Sequence, residues 1–281
     1  MKCRPLELRM KLYDEVHRLR KLGLSYSQII KIIQEKYNEK LSKSHISEWL
    51  RDVHNPYGNV LITFDDIKPL KELSFIIGDV AGDGYTRIRE KIYSYIIGLK
   101  CKDVEHVMEF ARCLEVVTGS KLYIRIRKNG FYFVEGYSRT LYELLKKPLD
   151  IDRLRYYIEY SVETIVAFLR AFFDSEGCVE KNGNILVYNT DLRILNYVKE
   201  LLLKLNIDVT GPHLGRKKGK LIYDRKREKT YYRRRDAYYL YIRAKSRRRF
   251  TEPIVFTIKR KMERLMKALN IPHIFLSCSR R

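Results

Sequence analysis

Two carboxylates in matching surroundings are the residues of this chain best placed to do chemistry. Asp83 stands near the end of Ile76-Ile77-Gly78-Asp79-Val80-Ala81-Gly82-Asp83-Gly84, and Glu176 near the end of Leu169-Arg170-Ala171-Phe172-Phe173-Asp174-Ser175-Glu176-Gly177. Each segment is an apolar stretch closing in acid-glycine, and the acids lie 93 positions apart, the size of a small structural unit. Gly78 and Gly82 are four apart, and Ala167, Ala171 and Ser175 repeat that spacing. As helices, both segments therefore show small residues on one face and allow close backbone approach. Laid side by side in parallel, they bring Asp83 and Glu176 together at two helix C-termini. That is a poor place for acids, because the helix dipole is already negative there and the two charges repel. A divalent cation relieves both costs, and hard oxygen ligands favour Mg²⁺, which keeps water and pairs with phosphate oxygens. The plainer alternative is a pair of core helices whose last acids are exposed caps; the duplication argues against it.

The elements that position these acids follow from periodicity. Apolar residues at helical steps predict helices over 6–21 and 25–37, with Gly23 between them and a Ser25 cap, and a third short helix over 42–50. This resembles a helix-turn-helix unit, whose third helix would present Lys43, His45 and Ser47 to DNA. Asn55-Pro56 and Gly58 mark a linker. From Pro69 onward the order helix, strand, strand, helix, strand, strand, helix occurs twice. Its second pass places strands at 220–223 and 237–244 and a last helix over 254–269. The expected domains are a helix-turn-helix domain at 1–54, a linker at 55–68, and two halves at 69–160 and 161–281.

The two acid-bearing segments resemble the paired motifs of LAGLIDADG homing endonucleases in their single-chain, pseudo-symmetric form. The second is a close match to a common variant; the first has Asp79 in a usually apolar place and Ala81 where an acid often stands, but keeps the Gly-Asp-Gly ending. The resemblance covers roughly 70–269. It implies an α+β fold, a pseudo-twofold duplicated αββαββα body with two antiparallel saddle sheets, here preceded by the small all-α domain. It also implies that Asp83 and Glu176 bind catalytic Mg²⁺, and that a long asymmetric target is cut on both strands across the minor groove. The run Phe256 to Lys261 resembles the start of the family's last helix, where a basic residue assists cleavage. Lys259 is the candidate there and Lys147 in the first half. Asp174 is expected to brace the helix junction. Two other functions stay open: an intron RNA-splicing maturase and a non-catalytic DNA-binding transcriptional regulator.

Charge points to the same partners. Lys and Arg number 57 against 34 Asp and Glu, so 281 residues carry a formal +23, a surplus that attracts a polyanion. Basic side chains alternate with apolar or aromatic ones at Arg87 and Arg89, at Arg125 and Arg127, and at Arg243. The densest run contains Arg216, Lys217, Lys218, Lys220, Arg225, Arg227, Arg233, Arg234 and Arg235, and reads as a long hairpin lying along phosphates. No apolar run approaches the ~20 residues of a spanning helix, so a cytoplasmic, nucleoid-associated monomer is expected. The five cysteines include no Cys-x-x-Cys pair, which predicts buried free thiols and neither a zinc site nor a disulfide framework. The charge-rich composition is compatible with a thermophilic source.

Overall fold

Leu12, Val16 and Leu19 recur at helical spacing, and α1 (Leu6–Lys21) forms on them. The computed structural model describes residues 4–51, 56, 67–90, 94–224 and 228–271. Gly23, at φ +83°, takes the left-handed turn that a residue with a Cβ resists. α2 (Tyr26–Tyr37) then opens with a capping box, in which the Ser25 hydroxyl accepts from the Gln28 N–H and Gln28 Oε1 accepts from the Ser25 N–H at 2.8 Å. α3 (Lys43–Leu50) begins at Ser42, whose hydroxyl accepts from the His45 N–H at 3.1 Å. The three helices bury Leu12, Val16, Ile29, Ile33, Ile46 and Trp49 in one core. The expected linker falls almost wholly outside the described residues.

The repeat then runs through α4 (Lys71–Ala81), β1 (Tyr85–Arg89), β2 (Ser94–Cys101), α5 (Val104–Thr118), β3 (Arg125–Ile126), β4 (Tyr132–Tyr137), α6 (Arg139–Leu145) and α7 (Ile151–Ile158). Its second copy is α8 (Val162–Glu176), β5 (Gly177–Val179), β6 (Ile185–Asn189), α9 (Leu192–Lys204), β7 (Val209–Arg216), β8 (Leu221–Asp224), β9 (Lys229–Tyr232), β10 (Ala237–Ile242), α10 (Arg247–Thr251) and α11 (Lys259–Ala268). One four-stranded sheet has the order β1-β2-β4-β3 and the other β5-β6-β10-β7. Counted in chain order within each four-stranded sheet, both orders are first, second, fourth, third strand, so the mixed α+β body is duplicated in topology as well as in its motifs. The pairs β3–β4, β5–β6, β6–β10 and β7–β10 are antiparallel. Two compact units divide the chain: one holds 1–67, 87–96 and 137–144, the other 68–86, 97–136 and 145–281.

Three elements differ from expectation. The third strand of the second half is β7, and 220–223 falls mainly in β8, which pairs with β9 as a separate hairpin in the register Leu221↔Tyr232 and Tyr223↔Thr230. Gly211, Pro212 and Gly215 break the apolar alternation of β7 and hide it from a periodicity search. The last helix starts at Lys259 rather than at Ile254, and a buried acid from α8, Asp174, accepts from the N–H groups of the two residues before it. Of the described cysteines, all free, only Cys113 is buried; Cys178 is exposed.

Candidate metal centre and nucleic-acid face

Every residue of α4 from Leu73 to Ala81 is buried, and its principal neighbour is α8. The Ser74 hydroxyl donates to the Thr164 carbonyl at 2.7 Å. One turn on, a Cβ at Gly78 would stand 2.3 Å from the Phe168 carbonyl oxygen and 2.9 Å from Ala171 Cβ. A further turn on, a Cβ at Gly82 would stand 2.5 Å from Ser175 Cβ. Partners thus advance together along both helices, so the helices run parallel and the small residues set their separation.

This packing brings Asp83 and Glu176 together. Glu176, half-buried at the last turn of α8, is pushed up to about 7 by burial and then by the charge of Asp83. Asp83, in the turn after α4, is also raised by desolvation. Two ammonium groups offset part of this cost. Lys147 Nζ donates to the Gly82 and Gly84 carbonyls at 3.3 and 3.1 Å. Lys261 Nζ donates to the Phe173 carbonyl at 3.1 Å and to that of Asp174. Each half therefore supplies one lysine to the carbonyls at one acid-bearing helix end, where a cation also meets the negative pole of the dipole. Both lysines are lowered by burial and act electrostatically on Asp83 and Glu176.

Lys261, rather than the expected Lys259, occupies this place in the second half. Lys259 is exposed at the start of α11, and its backbone N–H donates to Glu105 at 3.1 Å. The helical phase of α11 carries the signal: Ile258, Lys261, Met262 and Leu265 share one buried face. Asp174 braces this junction, accepting from the Thr257 and Ile258 N–H groups at 3.0 and 3.2 Å. Because Asp174 is buried, Asp174→Ala leaves two backbone donors without their acceptor. A loss of about 2–4 kcal/mol is expected in denaturant unfolding, with Asp174→Asn losing less.

A second polar group lies beneath the acids. Asp79 is fully buried, and its Oδ1 accepts from His106 Nε2 at 2.6 Å and from the Ser175 hydroxyl at 3.1 Å. Burial raises Asp79, against the lowering effect of His106; His106, which burial alone would lower, is pushed up by the Asp79 carboxylate. Each partner's charge favours the charged form of the other. Sequence patterning assigns Asp79 no role, and its partner is detectable there only as a histidine in the apolar phase of α5, next to Val107.

The expected basic face is distributed as follows. On α3, Lys43 is exposed, whereas His45 and Ser47 are half-buried and the His45 ring packs edge-on against Trp49 at 4.5 Å. Arg87 and Arg89 are exposed on β1, and Arg125 on β3; Arg127 lies over the Phe133 ring at 5.0 Å. Around the β8–β9 hairpin, Lys217, Lys218, Lys220, Arg234 and Arg235 are exposed and Arg233 is half-buried, while Arg225 and Arg227 lie outside the described residues. Arg243 is exposed just beyond β10, and Arg216 lies over Tyr188 at 5.6 Å. The aromatic row beneath Arg216 is not evident from the sequence. Tyr239 on β10 faces Tyr188 on β6 and His213 on β7, with ring centroids 5.5 and 5.3 Å apart.

Comparison with known proteins agrees with this architecture. A family model described as a LAGLIDADG-like domain matches residues 163–255. The chain is 37% identical over 265 residues to MJ0398 of Methanocaldococcus jannaschii, covering 92% of this chain and 93% of that one. The chain belongs to the LAGLIDADG family. It is also similar to the structure of I-DmoI in complex with DNA and Mn, at 17% identity and a TM-score of 0.47 over 67% of this chain and 98% of that one. Full-length WhiA from Thermatoga maritima is similar at 15% identity and a TM-score of 0.46, over 76% of this chain and 63% of that one. Those two likenesses concern the course of the chain and not its chemistry.

Proposed function

We propose that this LAGLIDADG protein is a site-specific, divalent-metal-dependent endonuclease that cuts both strands of DNA. The observation that carries this reading is the convergence of Asp83 and Glu176 at two parallel helix ends, where desolvation raises both acids and the charge of Asp83 raises Glu176 further. Two acids held at such a cost suit a cation. Among the described residues, no three His, Cys, Asp or Glu side chains gather to hold a metal. Asp83 and Glu176 would hold such an ion through hard carboxylate oxygens, which fit Mg²⁺. Such an ion supplies electrophilic activation of phosphate and water. The chain's own groups do the rest: Asp83 and Glu176 fix the centre, Lys147 and Lys261 balance its charge, and the basic strands and hairpin hold the phosphates in place. The three N-terminal helices would add a second contact to the same duplex, raising affinity through effective concentration.

The test is to incubate the purified chain with Mg²⁺ and a randomised duplex library, beside Asp83→Asn and Glu176→Gln. Cleaved duplexes that vanish in both variants support the reading; no cleavage of any duplex refutes it. Selective retention of intron RNA without cleavage would favour a maturase, and sequence-specific binding without cutting a regulator.

DNA binding should also be steeply salt-dependent. If six to ten phosphates are neutralised, affinity falls by about 10³–10⁵ between 50 and 200 mM salt. Replacing Lys217, Lys218 and Lys220 by Gln should flatten the plot of log K against log salt by about one unit for each phosphate no longer neutralised, with little change of sequence preference. Fluorescence anisotropy on matched and scrambled duplexes measures both.

A further inference from the structure

Asp79 touches both ends of the proposed centre. Its carbonyl accepts from the Gly82 N–H at 3.0 Å and the Gly84 N–H at 2.7 Å, clamping the turn that carries Asp83. Its carboxylate accepts from the hydroxyl of Ser175, the residue before Glu176, and from His106 on α5. One residue therefore joins the turn of the first acid, the helix end of the second, and a third helix.

The fold does not require these polar groups. Aligned on the two acids, Asp79 corresponds to Phe172, four residues before Glu176. Aligned on the N-caps Asp103 and Asp191 of α5 and α9, His106 corresponds to Ile194. The second half thus fills the same two places with apolar residues, both buried. A buried ion pair is weak support for stability, since an apolar pair of similar volume often does as well or better. This one also leaves Asp79 Oδ2 buried without a hydrogen-bond partner, a further cost. A pair that is costly, confined to one half and placed directly under the acids calls for a role that packing does not supply.

We infer that Asp79 and His106 are positioning residues that hold Asp83 at its distance from Glu176, Asp79 by direct contact with both carrier segments and His106 by fixing the Asp79 carboxylate. The inference rests on the proposed metal centre for its biological purpose. Its geometric content is independent of that reading. Asp79 holds Gly82 and Gly84 through its backbone, which any residue provides, so the side chain acts by locking α4 against Ser175 and α5.

The test uses the full chain in metal-free buffer at pH 8, where repulsion between Asp83 and Glu176 is read by a double-mutant cycle of Asp83→Asn and Glu176→Gln in urea unfolding. The cycle is run in the natural background, with Asp79→Asn, with His106→Gln, and with Asp79→Ala/His106→Leu, an apolar pair of similar total volume. The expected result is a coupling of about three-fold or more in the unfolding equilibrium constant that falls below about 1.5-fold in each altered background. Full coupling in a background that still unfolds cooperatively would overturn the inference, because a merely structural pair changes stability and leaves the coupling alone. The conservative Asp79→Asn keeps the test decisive should the apolar pair not fold. Mn²⁺ affinity, measured by electron paramagnetic resonance on the same proteins, reports separately on the proposed function. Coupling that responds to Asp79 in a chain that binds no Mn²⁺ would sustain the positioning role while removing the metal reading.

Discussion

Glu176→Gln is expected to abolish metal-dependent cleavage while making the metal-free protein more stable. The amide keeps the side chain's shape but removes the charge that burial and Asp83 oppose, and an acid raised to about 7 costs stability wherever it is ionised. The sign follows from linkage. The group's folded value lies above its ordinary 4.5, so its favourable contribution is complete below about 4.5 and is lost as pH rises through about 7. Metal-free natural protein should therefore lose on the order of 2 kcal/mol across that window, a figure already reduced for the partial solvent screening of a half-buried group. Glu176→Gln should flatten that slope, whereas added Mg²⁺ should restore stability above pH 7 to the natural chain and not to the variant. Cleavage should fall by about a thousand-fold or more. Urea unfolding at a series of pH values, with and without Mg²⁺, together with single-turnover cleavage, measures these effects; an unchanged pH slope in the variant would contradict the account.

Gly78→Val should be among the most destabilising single substitutions in the chain. Even the first added carbon would lie 2.3 Å from the Phe168 carbonyl oxygen, and what stands there is backbone of α8, which cannot swing away as a side-chain tip would. The helices must separate, which disturbs the apolar layer around Ile77, Phe168 and Phe172. A loss of about 4 kcal/mol or more is expected, beyond ordinary overpacking of about 1–3 kcal/mol. Gly78→Ala should fall between. Because the acids sit one turn beyond Gly78, any Gly78→Ala protein that folds should lose cleavage more steeply than stability. A thermal midpoint near that of the natural chain for Gly78→Val would refute the close-approach account.

Much of the fold is legible because repeated patterns constrain it locally. Leu12, Val16 and Leu19 mark α1 by spacing alone, and a serine with a glutamine three residues later announces α2. The small residues Gly78, Gly82, Ala171 and Ser175 make the α4–α8 pairing readable, because only such residues let two helices touch by their backbones. β7 is not legible, since its glycines and proline resemble a loop until β10 pairs with it. Lys259 and Lys261 look alike in a string of basic residues, and only the phase of α11 separates them.

The sequence by itself determined the duplicated order of elements, the two acids at matching ends and the strong positive charge. Each depends on residue type and spacing within a short segment. Only the tertiary structure decided which groups share the space around those acids. Lys147 and Lys261 arrive from different segments, His106 reaches Asp79 across 27 positions, and Ser175 reaches it across 96. Such meetings arise from packing between distant segments, where burial and hydrogen-bond geometry set the outcome; local spacing marks Lys261 and His106 as inward-facing but does not name their partners.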